Sequence, residues 1–250
     1  AADLTIMEEG SEFLERAGAA LKSGKAVLPL ITSCSPGWIK YLEHHYPDKI
    51  ANLSSCKSPH MMMGAVIKSY YANKLGMDPN KIFVVSVMPC TAKKFEIDRP
   101  EMENDGLRNV DAVITTRELA RMIREAGIDF ENLQPSDFDQ PLGISTGAAD
   151  IFGVTGGVME AALRTVYELV TGRELPLSEL KAVPDSERTL TKRAEVTFEN
   201  CLPSYAFMEG FTAKVAVTSG FQGAKALLDE IGRGAGDYHF IEVMGCPGGC

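Results

Sequence analysis

Little in the sequence would tie it to nucleic acid or to a bilayer. No run of Lys or Arg occurs, and 25 basic residues are outnumbered by 34 acidic ones, for a formal charge of −9. Neutralising a phosphate backbone needs clustered cations, so a nucleic-acid partner is not expected. Docking on an anionic membrane surface has no basis either. No apolar run approaches ~18 residues, so no membrane insertion is expected. The first ten residues, AADLTIMEEG, lack the basic region and apolar core of a signal peptide. Position 1 is not Met and the sequence stops on Cys250 inside CPGGC, so we read it as an excerpt of a longer protein. The cytoplasm is the expected compartment, with the periplasm left open because upstream sequence is absent.

Cysteine is scarce. Six in 250 residues is too thin for a secreted disulfide framework. The close pair is Cys246 and Cys250, with three residues between them, whereas zinc ribbons use tandem C-x2-C pairs. The four histidines (His44, His45, His60, His239) lie away from the cysteines in sequence. A cysteine-only iron–sulfur site fits this inventory better than a mixed Cys/His zinc site.

What is present is ordinary globular composition, 45% hydrophobic and 24% charged, arranged in alternating patterns. Ile6, Phe13, Leu14, Ala17 and Leu21 predict a helix over 5–21. AVLPLITS (26–33) predicts a buried strand, with Pro29 marking an irregular or edge position. A short helix over 38–45 stops at Pro47. Ser58 and Pro59 have the N-cap and first-position pattern of a helix that ends near Gly76. IFVVSVM (82–88) reads as a parallel strand buried on both faces. AVITT (112–116) is a further strand. Thr115 and Glu118 then form a capping-box pattern for a helix ending at Gly127. Residues 129–147 are loop-like, and a long helix runs through VMEAALRTVYELVTG. KVAVTS (214–219), a helix over 222–231 and HFIEVM (239–244) form a strand–helix–strand unit. The expected fold is α/β, with two lobes of mainly parallel sheet flanked by helices. The division falls between 116 and 145, giving lobes over 1–130 and 131–250.

Cys34 (in TSCSPGW), Cys90 (in SVMPCTAKKFE) and Cys246 with Cys250 (in IEVMGCPGGC) directly follow predicted strands. The C-terminal ends of parallel strands are where such folds place ligands, so these residues are expected to converge on a crevice between the lobes. Pro36, Gly37, Pro89, Pro247, Gly248 and Gly249 shape the turns and let backbone N–H groups approach a cluster. Met88 and Met244 each precede a cysteine by two residues and supply a polarizable wall, and Lys93 puts a cation beside Cys90. Glu9, Glu12 and Arg16 are spaced i, i+3 and i+7 and share one helix face. Spacing alone reads that face as solvated, with an ordinary Glu12–Arg16 pair.

The three cysteine segments resemble, in order, the signatures of the [FeFe]-hydrogenase active-site domain, roughly T-S-C-C-P-x-W, M-P-C-x-x-K-x-x-E and E-x-M-A-C-x-x-G-C. NLSSCKSP, IDRPEMENDGLRNVDAVITTREL and IFGVTGGVMEAALRT are similar to the family as well, so the resemblance covers nearly the whole sequence. It implies reversible reduction of protons to H₂ at the H-cluster, a [4Fe–4S] cubane joined through a cysteine to a diiron unit carrying CO, CN⁻ and a bridging dithiolate amine. Cys90, Cys246 and Cys250 match cubane ligands, with Cys250 the bridging one. Cys34 matches the thiol that passes protons inward, and Lys93 the side chain that hydrogen-bonds a cyanide. Met88, Pro89, Phe152 and Met244 match the packing around the diiron unit. Ser54, Glu12, Glu9 and Arg16 match a proton relay from the surface, which reverses the solvated-face reading. The implied partners are a ferredoxin-like electron donor or accessory iron–sulfur domains or subunits, together with hydrogenase maturation proteins.

The sequence departs from that pattern at Ser35, where the family has its fourth cubane cysteine. A hydroxyl is a poorer ligand than a thiolate for a soft iron–sulfur site. Either three cysteines and Ser35 hold the cubane, or Cys34 moves into ligation, or the chain is an inactive or engineered variant. Gly245 replaces the common Ala, and His60 stands where some relatives have Gln. The rival readings are a redox-sensor or iron–sulfur assembly relative and a zinc-stabilised α/β protein.

Overall fold

A computed structural model describes residues 1–176, 181–183 and 191–246. Cys250, with Pro247, Gly248 and Gly249, lies outside the described residues.

The chain opens with helix α1 (Ala2–Ser23), which buries Ile6, Glu9, Gly10, Phe13, Leu14 and Ala17 along one helical face. Only Leu30–Ile31 of the predicted 26–33 strand is extended and paired, as β1. Pro29 has no N–H to donate, so the ladder begins after it. The Leu30 N–H donates to the His239 carbonyl and the Thr32 N–H to that of Ile241. Helix α2 (Pro36–His45) follows, with Ser35 at its N-cap.

From Lys57 the chain builds a separate compact unit that runs to Thr146. Helix α3 (Pro59–Val66) begins at Pro59 and passes through a π turn (Ile67–Tyr71) into α4 (Ala72–Leu75). Gly76, at φ +62°, ends the run as expected. Strand β2 (Val85–Met88), helix α5 (Ala92–Glu96), the hairpin β3 (Glu103–Asn104) and β4 (Leu107–Arg108), strand β5 (Ala112–Thr115) and helix α6 (Thr116–Glu125) complete it. Strands β2 and β5 pair in parallel, Val85 opposite Ala112 and Met88 opposite Thr115. The Thr115–Glu118 capping box forms as expected. The 82–88 strand is not buried on both faces. Its two-residue period puts Phe83, Val85 and Val87 together, and these are 73%, 47% and 42% exposed. Val84 and Met88, on the other face, pack with Met61, Ile97, Val110 and Val113.

The chain returns at Gly147 to the unit begun by residues 2–56. There it forms α7 (Ala148–Phe152), α8 (Gly157–Thr171), β6 (Lys181–Val183), β7 (Thr191–Thr197), β8 (Thr212–Ser219), α9 (Phe221–Gly232) and β9 (Phe240–Met244). The sheet order is β1-β9-β8-β7-β6, so β1 is an edge strand, as Pro29 predicts. Strands β1 and β8 run parallel to β9, while β7 and β6 are added antiparallel. The sheet thus has a parallel core, β1-β9-β8, extended at one edge by two antiparallel strands. One face packs Phe13, Leu14 and Ala17 of α1 and Met159, Leu163, Val166 and Tyr167 of α8 on Val196, Val215 and Phe240. The other packs Trp38 and Leu42 of α2 and Leu227 and Leu228 of α9 on Ile31, Ala216, Ile241 and Val243. Each large apolar side chain taken wholly out of water there contributes ~1.5–3 kcal/mol before entropy.

The fold class is α/β, but the units do not follow a cut near 130. Residues 2–56 belong with the segment after Gly147, because β1 pairs with β9: Leu30 lies opposite Phe240. No helix among the described residues is long and apolar enough to cross a membrane.

Candidate proton relay and metal centre

Residues of α1 and of the 51–56 segment build a graded pair of carboxyl groups. The Arg16 guanidinium donates to Glu12 Oε1 at 2.6 Å and to the Leu53 carbonyl at 2.9 Å, fastening the helix to that segment. The Ser54 N–H donates to the Ile31 carbonyl at 2.7 Å, which aims the Ser54 hydroxyl at Glu12 Oε2, 2.8 Å away. The Ser55 N–H, at 3.0 Å, and the Cys56 thiol, at 3.7 Å, point at the same oxygen. Burial pushes the Glu12 carboxyl up, but the Ser54, Ser55 and Arg16 donors outweigh it and hold the group below its ordinary value.

One turn earlier, Glu9 is 1% exposed, and its Oε2 has no hydrogen-bond partner. Burial first, then the neighbouring charges of Glu12 and Glu242, push its carboxyl up to about 8, against a small opposing effect of Ser54. At neutral pH Glu9 is therefore protonated and Glu12 ionised, a separation of the kind that assigns donor and acceptor roles to paired carboxyls. The face that spacing alone reads as solvated is buried at Glu9 and half-buried at Glu12 and Arg16.

The same unit carries Cys34, Ser35, Phe152, Met244 and Cys246. Cys34 lies in the loop between β1 and α2, half-buried. Ser35 is buried and makes no cap bond to its own helix; its Oγ accepts the Gly245 N–H at 3.2 Å. A β-carbon at position 245 would stand 2.7 Å from that oxygen, so Gly245 is what lets the β9 end approach Ser35. Met244 is buried at the end of β9, and Cys246 is exposed just beyond it.

Sequence reasoning missed Glu242. This carboxylate is fully buried in β9, with Oε1 accepting the Gly156 N–H at 2.7 Å and Oε2 the Met159 N–H at 2.8 Å. It satisfies the start of α8 and pins the turn that follows Phe152 at the end of α7. Burial pushes it up against those backbone donors. The available signal was a lone acid inside the apolar string HFIEVM.

The unit of Lys57–Thr146 carries Met88, Pro89, Cys90 and Lys93. Met88 ends β2, exposed Pro89 turns the chain, and half-buried Cys90 precedes α5. On α5, buried Lys93 donates to Glu96 Oε2 at 2.9 Å.

Cys90 and Cys246 are free thiols, each two residues past the end of a parallel-paired strand, in turns shaped by Pro89 and Gly245. Such thiolates are the donors an iron–sulfur cluster takes, and within the unit of residues 2–56 and 147–250 the Ser35 oxygen lies against the backbone next to Cys246. Among the described residues no three His, Cys, Asp or Glu side chains stand together as a metal site.

The family described as "Iron only hydrogenase large subunit, C-terminal domain" matches residues 1–250. The chain is 49% identical over 249 residues to the periplasmic [Fe] hydrogenase large subunit of Nitratidesulfovibrio vulgaris, covering 100% of this chain and 56% of that one. It is 32% identical to the cytosolic Fe-S cluster assembly factor narfl of Xenopus tropicalis, covering 99% of this chain and 51% of that one. It thus spans about half the length of these relatives. An apo [FeFe]-hydrogenase HydA1 variant from Chlamydomonas reinhardtii superposes with a TM-score of 0.85 at 42% identity, over 100% of this chain and 66% of that one. With the family pattern matched from the first residue to the last, the chain belongs to the family of C-terminal domains of iron-only hydrogenase large subunits.

Proposed function

We propose that the full protein catalyses the reversible reduction of protons to H₂, with electrons from a ferredoxin-type donor or from accessory iron–sulfur domains or subunits. The observation that carries this reading is the pair on α1: a buried, protonated Glu9 beside an ionised Glu12 held by Ser54 and Arg16. Family membership gives the cofactor as the H-cluster, a [4Fe–4S] cubane with a diiron subcluster, installed by maturation proteins. When bound, it supplies the iron centre at which electrons and protons combine.

The chain's own residues hold that group and deliver protons to it. Cys90, Cys246 and Cys250 would provide thiolates to that group, and Ser35 an oxygen donor. Met88, Pro89, Phe152 and Met244 would supply apolar surroundings to the bound group. Lys93 would present its ammonium to a cyanide of the bound group. A proton arriving at Glu12 is passed through the Ser54 hydroxyl, which donates to Glu12 and can accept in turn. Glu9 keeps its proton at neutral pH until an inner acceptor takes it. Cys34 gives its thiol proton inward and, as the thiolate left behind, takes the proton of Glu9, after which Glu9 is refilled from the Ser54 side.

The test is hydrogen evolution by the fully loaded protein with a strong reductant under anaerobic conditions. Absence of H₂ at complete cluster occupancy would overturn the proposal in favour of a second reading, a redox-sensor or iron–sulfur assembly relative. Ser35 favours that second reading, because an oxygen ligand weakens a soft metal site. An iron-free, zinc-loaded protein would support neither. The location we propose is the cytoplasm, with the periplasm of the Nitratidesulfovibrio vulgaris relative as the alternative.

A further inference from the structure

His60 lies near the start of α3 with a buried ring that bridges two other elements. Its Nδ1 is 2.9 Å from Ser86 Oγ on β2, and its Nε2 is 2.6 Å from Glu96 Oε2 on α5. The same Glu96 oxygen accepts Lys93 Nζ at 2.9 Å. Three elements thus meet through one ring and one carboxylate. The approach is close: one turn along α3, a β-carbon on Gly64 would stand 2.4 Å from the Asn109 carbonyl oxygen. Helix α3 therefore sits against backbone, and His60 has little room to shift.

The bonding pattern fixes the proton on Nε2. Burial pushes the Glu96 carboxyl up, but hydrogen bonds from His60 and Lys93 and the Lys93 charge hold it below its ordinary value, so it is ionised. An ionised carboxylate only accepts, so Nε2 of His60 carries the hydrogen. Nδ1 and the Ser86 hydroxyl make the second bond of the ring. The ring is held at both ends, and the carboxylate it bonds also takes the Lys93 ammonium.

A buried Lys–Glu pair is weak support for stability, because desolvating two charges offsets most of their attraction. A lysine stem has four rotatable bonds, so its ammonium sits where its anionic partner places it. We infer that His60 is a positioning residue: by fixing Glu96 through its Nε2–H, it sets where Lys93 presents its ammonium. This deepens the proposed function, resting on it only for the anion that Lys93 meets, a cyanide-type ligand.

The test uses the full protein with ¹³C-labelled lysine, the Lys93 signal being assigned by its loss in Lys93→Arg. His60→Leu removes both ring hydrogen bonds and is expected to shift the Lys93 side-chain signal in the cluster-free protein. His60→Gln keeps a donor toward Glu96 and is expected to return the signal to its parent position. Ser86→Ala releases only Nδ1 and is expected to shift the signal in the same direction by less. An unmoved Lys93 signal in a folded His60→Leu protein overturns the inference. If that variant fails to fold, an unmoved signal in Ser86→Ala does so. In the loaded protein, His60→Leu is expected to move a cyanide infrared band and His60→Gln to restore it. A shifted lysine signal with unmoved cyanide bands upholds the positioning by His60 and overturns the role proposed for Lys93.

Discussion

The Gly245 N–H donates to Ser35 Oγ at 3.2 Å, and the absence of a β-carbon at 245 is the condition for that contact. The two residues lie 210 positions apart and join the end of β9 to the start of α2. The serine and the glycine are therefore one feature rather than two separate departures from the family pattern.

Their coupling is measurable. Gly245→Ala would drive Ser35 Oγ away from the 245 N–H and cost ~1 kcal/mol, the net worth of one hydrogen bond. In a Ser35→Ala background the obstructing oxygen is gone, and the added cost of Gly245→Ala should fall to near zero. Denaturant unfolding of the four proteins in the cycle reads this directly. Strict additivity would show that the two residues do not depend on each other.

Ser35→Cys should raise cluster occupancy and slow the loss of iron to chelators. The added thiolate matches iron better than a hydroxyl and would give the cubane four sulfur donors. Iron and sulfide analysis with EPR, run beside the parent protein, is the check. A parent that already holds a complete cubane as tightly would return Cys34 to consideration as a ligand.

Glu9 predicts a pH dependence of stability. Its carboxyl ionises near 4.5 in the unfolded chain and near 8 in the folded one. Between those values the folded state binds the extra proton, so this group's contribution is fully present at low pH and is lost as pH rises through about 8. At ~1.4 kcal/mol per unit the loss reaches ~5 kcal/mol. Glu9→Gln carries no titrating group and should flatten the fall in stability from mildly acidic to mildly alkaline pH. Denaturation midpoints that fall as steeply in Glu9→Gln as in the parent would contradict the assignment.

Cys34→Ala and Glu12→Gln should each leave cluster spectra unchanged and lower hydrogen turnover by ~100- to 10,000-fold, the range for loss of a proton-transfer group. Loss of the cubane from Cys34→Ala would instead mark Cys34 as a ligand. Unchanged turnover of Glu12→Gln at every pH would remove the α1 carboxyls from the proton path.

Local pattern was enough to place the chemistry-bearing turns. Cys34, Cys90 and Cys246 follow β1, β2 and β9 because each apolar run ends in a Pro- or Gly-containing turn, and that is local physics. Helix α1, the Thr115–Glu118 box and the β8–α9–β9 crossover were legible for the same reason: period and cap residues lie within a few positions of each other. The remainder depended on contacts between distant segments. Glu9 and Glu12 have the same spacing on a solvated helix as on a buried one. They acquire opposite pKa directions only because Ser54, Ser55 and Arg16 crowd Glu12 while Glu9 faces the interior near Glu242. The exposed Phe83–Val85–Val87 face and the closing of residues 2–56 onto the segment after Gly147 were equally hidden. Strand pairing such as Leu30 with Phe240 leaves no local trace: the hydrogen-bonding groups are the same in every residue, and only packing selects which strands meet.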